Sequence, residues 1–169
     1  YKQGEMQTYR LPFIDEASVE NSITCAALSL ALGLTSEQLG ERMAKIEPVA
    51  MRLEVKQGQH GCTLINDSYN SDINSLDIAL DFISRRPDHK GRRRTLILSD
   101  ILQSGIPAEK LYAEVSELCQ KRGVEKFIGV GPNLCAQADR INVPEKYFFA
   151  DTQTFIKSKV FNTLRDEVI

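Results

Sequence analysis

Long apolar runs are missing from this 169-residue chain. No stretch approaches the roughly 18 to 20 consecutive apolar residues that a membrane-spanning helix needs, so no membrane partner is expected. No secretory leader opens the sequence, and it begins at Tyr1 without a methionine, which reads as an excised fragment or a processed product. Charge of one sign is missing as well: 21 basic and 23 acidic residues leave a formal net charge of −2. That balance gives no reason to expect a nucleic-acid partner. Cys25, Cys62, Cys119 and Cys135 form no Cys-x-x-Cys pair and have no histidines at ligand spacing, so no metal site is expected. Most lie among apolar residues and read as small buried hydrophobes of a reducing, cytoplasmic compartment. No G-x-x-x-x-G-K-[ST] loop, which would cradle nucleotide phosphates, occurs. Internal repeats and low-complexity linkers are absent too.

What is present is a change of pattern along the chain. Residues 6–13 alternate polar and apolar and read as an exposed strand, with Asp15-Glu16 as a helix-entry signal. A helix follows from about Ser18 to Leu32, with Val19, Ile23, Ala26, Ala27 and Leu30 as its buried stripe and Gly33 ending it. Thr35-Ser36-Glu37-Gln38 has capping-box form and opens a second helix that Pro48 stops. A hairpin is expected from Arg52 to Gln57 and Cys62 to Ile65. Beyond it, helices and strands alternate: a helix after Asn74, a strand at Thr95–Leu98, a helix from Pro107 to Arg122, and a strand at Phe127–Val130. A short helix at Asn133–Asp139, a strand at Tyr147–Phe149 and a last helix from Thr152 to Arg165 complete the order. Such alternation predicts an α/β fold with right-handed crossovers and a parallel sheet. The composition shift near Gly58 to Asn66 marks a boundary, giving domains at 1–60 and 61–169.

Chemistry concentrates where polar, turn-forming residues join a strand end to a helix start, at Ile65-Asn66-Asp67-Ser68-Tyr69-Asn70-Ser71-Asp72-Ile73-Asn74-Ser75. Such loops place ligands against the free amides of a helix N-terminus. Asp67 reads either as an acceptor for sugar hydroxyls or as an Asx-turn or helix cap. Asp100, at the end of the most apolar strand, reads either as a ligand contact or as a cap of the helix at Pro107. The basic cluster Lys90-Gly91-Arg92-Arg93-Arg94 reads as a solvated turn, and His60 and His89 as solvent-facing. Gly129-Val130-Gly131-Pro132 lacks the third glycine of a dinucleotide fingerprint.

Asp67-Ser68-Tyr69-Asn70, preceded by Met51-Arg52-Leu53-Glu54, resembles the D-S-Y-N-A-N signature of the Mur ligase family. The resemblance continues through Ser99-Asp100-Ile101-Leu102-Gln103-Ser104-Gly105, close to G-D-M-x-E-L-G, then Ile128-Gly129-Val130-Gly131 and Phe149-Ala150-Asp151. It implies an ATP- and Mg²⁺-dependent ligase that joins D-Ala-D-Ala to UDP-MurNAc-tripeptide. In that reaction the peptide carboxylate takes the γ-phosphoryl group and the dipeptide amine displaces it. The resemblance extends to ligases fused to an alanine racemase domain. Residues 1–60 then match a helix-and-hairpin remnant of the family's central ATP-binding domain, and residues 61–169 its C-terminal domain, which implies a Rossmann-like, mostly parallel sheet with flanking helices.

By the same resemblance Asn21, Arg52 and Asp67 are ATP-binding, with Asp67 at the ribose. Tyr69, Asn70 and Asp100 line the interdomain and acceptor loops. Asn21 matches the last asparagine of the family's H-N-x-x-N, whose first two positions here are Ala17 and Ser18. Ser99 and Gln103 likewise depart from the glycine and glutamate of the second motif. Because the phosphate loop is absent, no catalytic residue is expected in these residues and the chain alone is expected to be inactive. Two other readings stand beside this one: a different amide ligase of the superfamily, such as a folylpolyglutamate synthetase or another Mur ligase, and a non-catalytic receiver or flavodoxin-like binding module.

Overall fold

The computed structural model describes residues 6, 8–13, 16–47, 52–69, 71–86 and 90–169. The chain divides into two compact units, residues 1–49 and 50–169. In the first, α1 spans Glu16–Ala31 and α2 Ser36–Met43. Gly33, at φ +100, takes the left-handed turn that ends α1. The expected capping box is formed: the Gln38 amide donates to Thr35 Oγ1 at 3.2 Å, and the Thr35 amide to Gln38 Oε1 at 3.1 Å.

Ala26, Leu39 and Met43 make a small core, joined by Tyr9, Leu11 and Leu30. The predicted stripe of α1 is only partly realised, because Ile23 is 61% exposed while Ser22 is buried. Ser22 tolerates burial by donating its hydroxyl to the Ser18 carbonyl at 2.7 Å. The strand expected at 6–13 is not formed among the described residues; a strand exists only with a ladder partner, and the described part of this unit contains no strand. Pro48 and His89 lie outside the described residues.

The second unit is a six-stranded sheet in the order β1-β2-β6-β3-β4-β5. Its strands are β1 (Glu54–Gln57), β2 (Thr63–Asn66), β3 (Arg93–Ser99), β4 (Lys126–Val130), β5 (Glu145–Phe149) and β6 (Glu167–Val168). Only β1 is antiparallel; the rest run parallel. The hairpin pairing of β1 with β2 places β1 in this unit, ahead of the boundary read at residues 60 and 61.

The helices α3 (Ile73–Arg85), α4 (Ala108–Lys121) and α5 (Pro132–Ala136) cover one face. Leu76, Leu80, Leu111, Val115 and Leu134 pack there on Leu98 and Phe127. On the other face Phe155, Val160 and Leu164 pack on Ile128. The period-two pleat explains this division, since neighbouring Phe127 and Ile128 point to opposite faces. Handedness explains the helices: the steps from β2 through β5 run one way across the sheet, and the return to β6 runs the other way. A right-handed return must therefore pass over the second face.

That return differs from the single helix expected over Thr152–Arg165. α6 spans only Thr152–Lys157, followed by a 3₁₀ turn at Val160–Thr163. Ser158 is extended, and its hydroxyl donates to the Phe155 carbonyl at 2.7 Å. The Phe155 carbonyl thus accepts from both the amide, at 3.0 Å, and the hydroxyl of Ser158, and the break lets Phe155, Val160 and Leu164 all reach the sheet.

Candidate nucleotide-facing loop at the sheet edge

The parallel strands β2, β3, β4 and β5 end at one edge of the sheet, where open α/β folds take ligands. β2 ends at Asn66, whose Oδ1 accepts from the Ser68 amide at 3.3 Å and its hydroxyl at 2.7 Å. The Asx-turn considered for Asp67 therefore belongs to Asn66. The cap of α3 belongs to Asp72, which accepts from the amides of Asn74 and Ser75 at 2.9 Å each and from the Ser75 hydroxyl at 2.7 Å. The Ser75 amide, then its hydroxyl, hold the Asp72 carboxyl below the usual carboxylate value, with the Asn74 amide adding to them. The sequence signal was a polar residue ahead of the helical pattern.

Asp67 is half-buried and reaches back to the hairpin: its Oδ1 accepts from the Leu53 amide at 3.1 Å. Leu53 sits at φ +48, an uncommon conformation for a leucine. Next to it, the Arg52 guanidinium carbon stands 4.6 Å from the centroid of the Tyr69 ring, within cation–π range. The structure thus brings Arg52, Asp67 and Tyr69 together at the mouth of β2. The set offers a cation, a carboxylate and an aromatic ring 60% exposed to solvent. Asn70 lies outside the described residues, and Asn21 is exposed on α1 in the other unit.

Asp100, leaving β3, has a different task. Its carboxylate accepts from the amides of Asn133 at 3.0 Å and Leu134 at 2.9 Å, and from Asn133 Nδ2 at 3.1 Å. The buried Tyr112 hydroxyl donates to it at 3.5 Å and accepts from the Ile101 amide at 3.3 Å. Burial raises the Tyr112 phenol above its usual range. Asp100 therefore caps α5 rather than the helix after Pro107, which begins with no side-chain cap. Gly131, at φ +144, is required here because a Cβ would stand 2.4 Å from the Asp100 carboxylate. Gly129 and Gly131 are thus packing glycines: a Cβ on Gly129 would meet the Phe148 ring at 2.7 Å.

Only Lys90 and Gly91 of the basic cluster form the exposed turn expected. Arg92, Arg93 and Arg94 are half-buried and bond carbonyls and carboxylates across the sheet. His60 is exposed, as expected. Cys62 and Cys119 are buried, whereas Cys25 is exposed and Cys135 is half-buried. Among the described residues no group of three or more His, Cys, Asp or Glu side chains could hold a metal ion. No helix among them is long and apolar enough to cross a membrane.

No family model matches the chain. It is similar to the UDP-N-acetylmuramoyl-tripeptide--D-alanyl-D-alanine ligase of Escherichia coli (strain K12), 27% identical over 146 residues, covering 86% of this chain and 31% of that protein. The enzyme of the same name from Bacillus subtilis (strain 168) is 22% identical over 129 residues, covering 76% of this chain and 28% of that protein. A UDP-N-acetylmuramoylalanine--D-glutamate ligase of Elusimicrobium minutum is 32% identical over 104 residues, 62% of this chain and 22% of that protein. The chain thus spans about a third or less of the length of these curated relatives. Among solved structures, MurF from Acinetobacter baumannii matches with a TM-score of 0.74 at 21% identity, covering 92% of this chain and 33% of that one. MurF ligase from Thermotoga maritima in complex with ADP matches with a TM-score of 0.69 at 14% identity, covering 92% and 34%. The fold is that of these ligases.

Proposed function

We propose that this chain, whose relatives are Mur ligases, is the part of an ATP-dependent amide ligase that closes on the nucleotide and presents the amine acceptor. The reaction is addition of D-alanyl-D-alanine to UDP-MurNAc-tripeptide, carried out in the cytoplasm. The first unit, residues 1–49, belongs to the tail of the central ATP-binding domain, and the second, residues 50–169 with the hairpin, to the C-terminal domain. The observation that carries this reading is the meeting of Arg52, Asp67 and Tyr69 at the end of β2.

Each side chain of that set has a use against a nucleotide. A carboxylate accepts from ribose hydroxyls, as Asp67 can. A guanidinium held flat on an aromatic ring keeps its donors directed at phosphate or base edge, and the stacking lowers the entropy lost on binding. Asn21 supplies an amide for the base, and Asn70 and the Asp100 loop belong to the acceptor side. Asp100 acts there through the α5 N-terminus that it caps. Mg²⁺, which screens phosphate charge in such reactions, finds no three-ligand group among the described residues. Nucleotide-bound Mg²⁺ takes most of its ligands from phosphate and water, and with no phosphate loop in the sequence we read the chain alone as forming no amide bond.

The test is calorimetric titration of ATP into the full-length ligase carrying Asp67→Ala. Losing a charge-assisted hydrogen bond of about 1.5–3 kcal/mol weakens binding roughly 10- to 100-fold. Unchanged affinity would remove Asp67 from the nucleotide site. The likeness to a D-glutamate ligase over 104 residues favours a second reading, a ligase of another acceptor. Product formation from D-Ala-D-Ala but not from D-glutamate separates the two.

A further inference from the structure

No ladder joins β2 to β3; β6 stands between them. This strand of two residues pairs Val168 with Thr63 on one side, and Glu167 and Val168 with Arg93 and Arg94 on the other. The hairpin that carries Arg52, Asp67 and Tyr69 therefore reaches the rest of the sheet through β6.

Side chains reinforce the joint on both flanks. Glu167 is 3% exposed, and its carboxylate accepts from Lys126 Nζ at 2.8 Å and from the Thr95 hydroxyl. Lys126 is itself 1% exposed, so the two charges depend on each other and on the more distant Arg93, 3.8 Å from Glu167, and Glu145, 3.7 Å from Lys126. Lys126 opens β4, and Thr95 lies on β3; they fix β6 to the β3–β5 half.

Arg92 ties it to the hairpin half. Its guanidinium donates to the carbonyls of Glu167 at 2.9 Å and Asp166 at 3.2 Å, to Thr63 Oγ1 at 2.8 Å, and to the Gly61 carbonyl. Backbone bonds add to the grip: the Ile65 amide donates to Ile169 at 2.7 Å, the Ile169 amide to Thr63 at 2.9 Å, and the Asp166 amide to His60 at 3.0 Å. The hairpin turn is shaped to receive this segment, since a Cβ on Gly61 would stand 2.1 Å from the Asp166 carboxylate.

We propose that Arg92 and Glu167 are positioning residues: through β6 they hold the hairpin, and with it the Arg52–Asp67–Tyr69 set, in register with the strand carrying Asp100. Its meaning for catalysis rests on the nucleotide reading above; the mechanical coupling does not. Amide hydrogen exchange by NMR on the 169-residue chain tests it directly. In Arg92→Ala, exchange at Leu53, Ile65 and Ile169 rises about 10-fold or more relative to Ile97 and Ile128, because the hairpin opens as a separate unit. Arg92→Lys, which keeps the charge and loses the fork, shows a smaller rise in the same amides. It supplies the reading if the alanine variant does not fold.

An equal rise in every strand, or none at Leu53 and Ile65, overturns the proposal. Should the hairpin decouple while the Arg92→Ala full-length ligase binds ATP as tightly as before, the keystone stands and the nucleotide reading of the cluster falls.

Discussion

Asp67, Asp72 and Asp100 leave the same sheet edge, and their partners give each a different work. Asp72 meets the α3 amides, so Asp72→Ala costs about 1 kcal/mol, readable as a lower urea midpoint. Its acidity gives that loss a pH signature. The Ser75 amide and hydroxyl lower its pKa from the ordinary 3.8. A group depressed on folding contributes stability above its unfolded value and loses it as pH falls through the folded one. The difference between wild type and Asp72→Ala is therefore expected to shrink as pH drops below 3.8, and a difference that persists there would contradict the cap's charge. Asp100 and Gly131 act as a pair. Gly131→Ala, strained by φ and by the carboxylate at 2.4 Å, is expected to lose about 1–3 kcal/mol, measured by thermal unfolding. Burial pushes the Cys119 thiol up to about 12. A maleimide at neutral pH is therefore expected to label exposed Cys25 and leave Cys119 untouched.

At the scale of elements, charge holds strands and helices together where one would expect only apolar packing. Arg122, just past α4, bonds Asp77 at 2.5 Å and Asp81 at 2.6 Å on α3. The Asp77 bond, against the cost of burial, raises the Arg122 pKa. Lys126 and Glu167 do the same for β4 and β6 from inside the sheet. Removing Lys126 leaves the buried Glu167 carboxylate with only the half-buried Arg93 guanidinium, 3.8 Å away, as counterion, so Lys126→Ala is expected to lose roughly 3 kcal/mol. Lys126→Met combined with Glu167→Gln should recover much of that, because the burial penalty disappears with the charges. Chemical denaturation of the single and double variants checks this, and additive losses would show that the two side chains do not act together.

For the whole molecule, the division at residues 49 and 50 matters most. The second unit has its own sheet and a core on each face, which is what an independently folding domain requires. Residues 50–169 expressed alone are expected to melt in one cooperative transition by circular dichroism; a gradual melt would refute this. The first unit has only a small core and leaves Ile23 and Leu28 of α1, and Leu32 in the turn after it, exposed, so its stability is the lesser of the two.

Local chemistry was legible in the residues themselves. The Thr35–Gln38 box, the glycine after α1, the hairpin around Gly58–Gly61 and the alternation of helices with strands as far as β5 are set by neighbours a few residues apart and formed where the pattern put them, whereas the helix read over Thr152–Arg165 breaks after Lys157. Arg52 and Asp67 could be singled out from a short motif. Their meeting with Tyr69, across a hairpin, could not. Tertiary structure alone decided that β6 enters between β2 and β3, that three consecutive arginines serve carbonyls and carboxylates rather than water, and that Asp100 caps α5 and not the helix that follows it in sequence. The reason is range: a periodic pattern reports which face is buried. The partner of a strand edge or a buried charge is chosen only when segments as far apart as residues 63, 93 and 168 come into register.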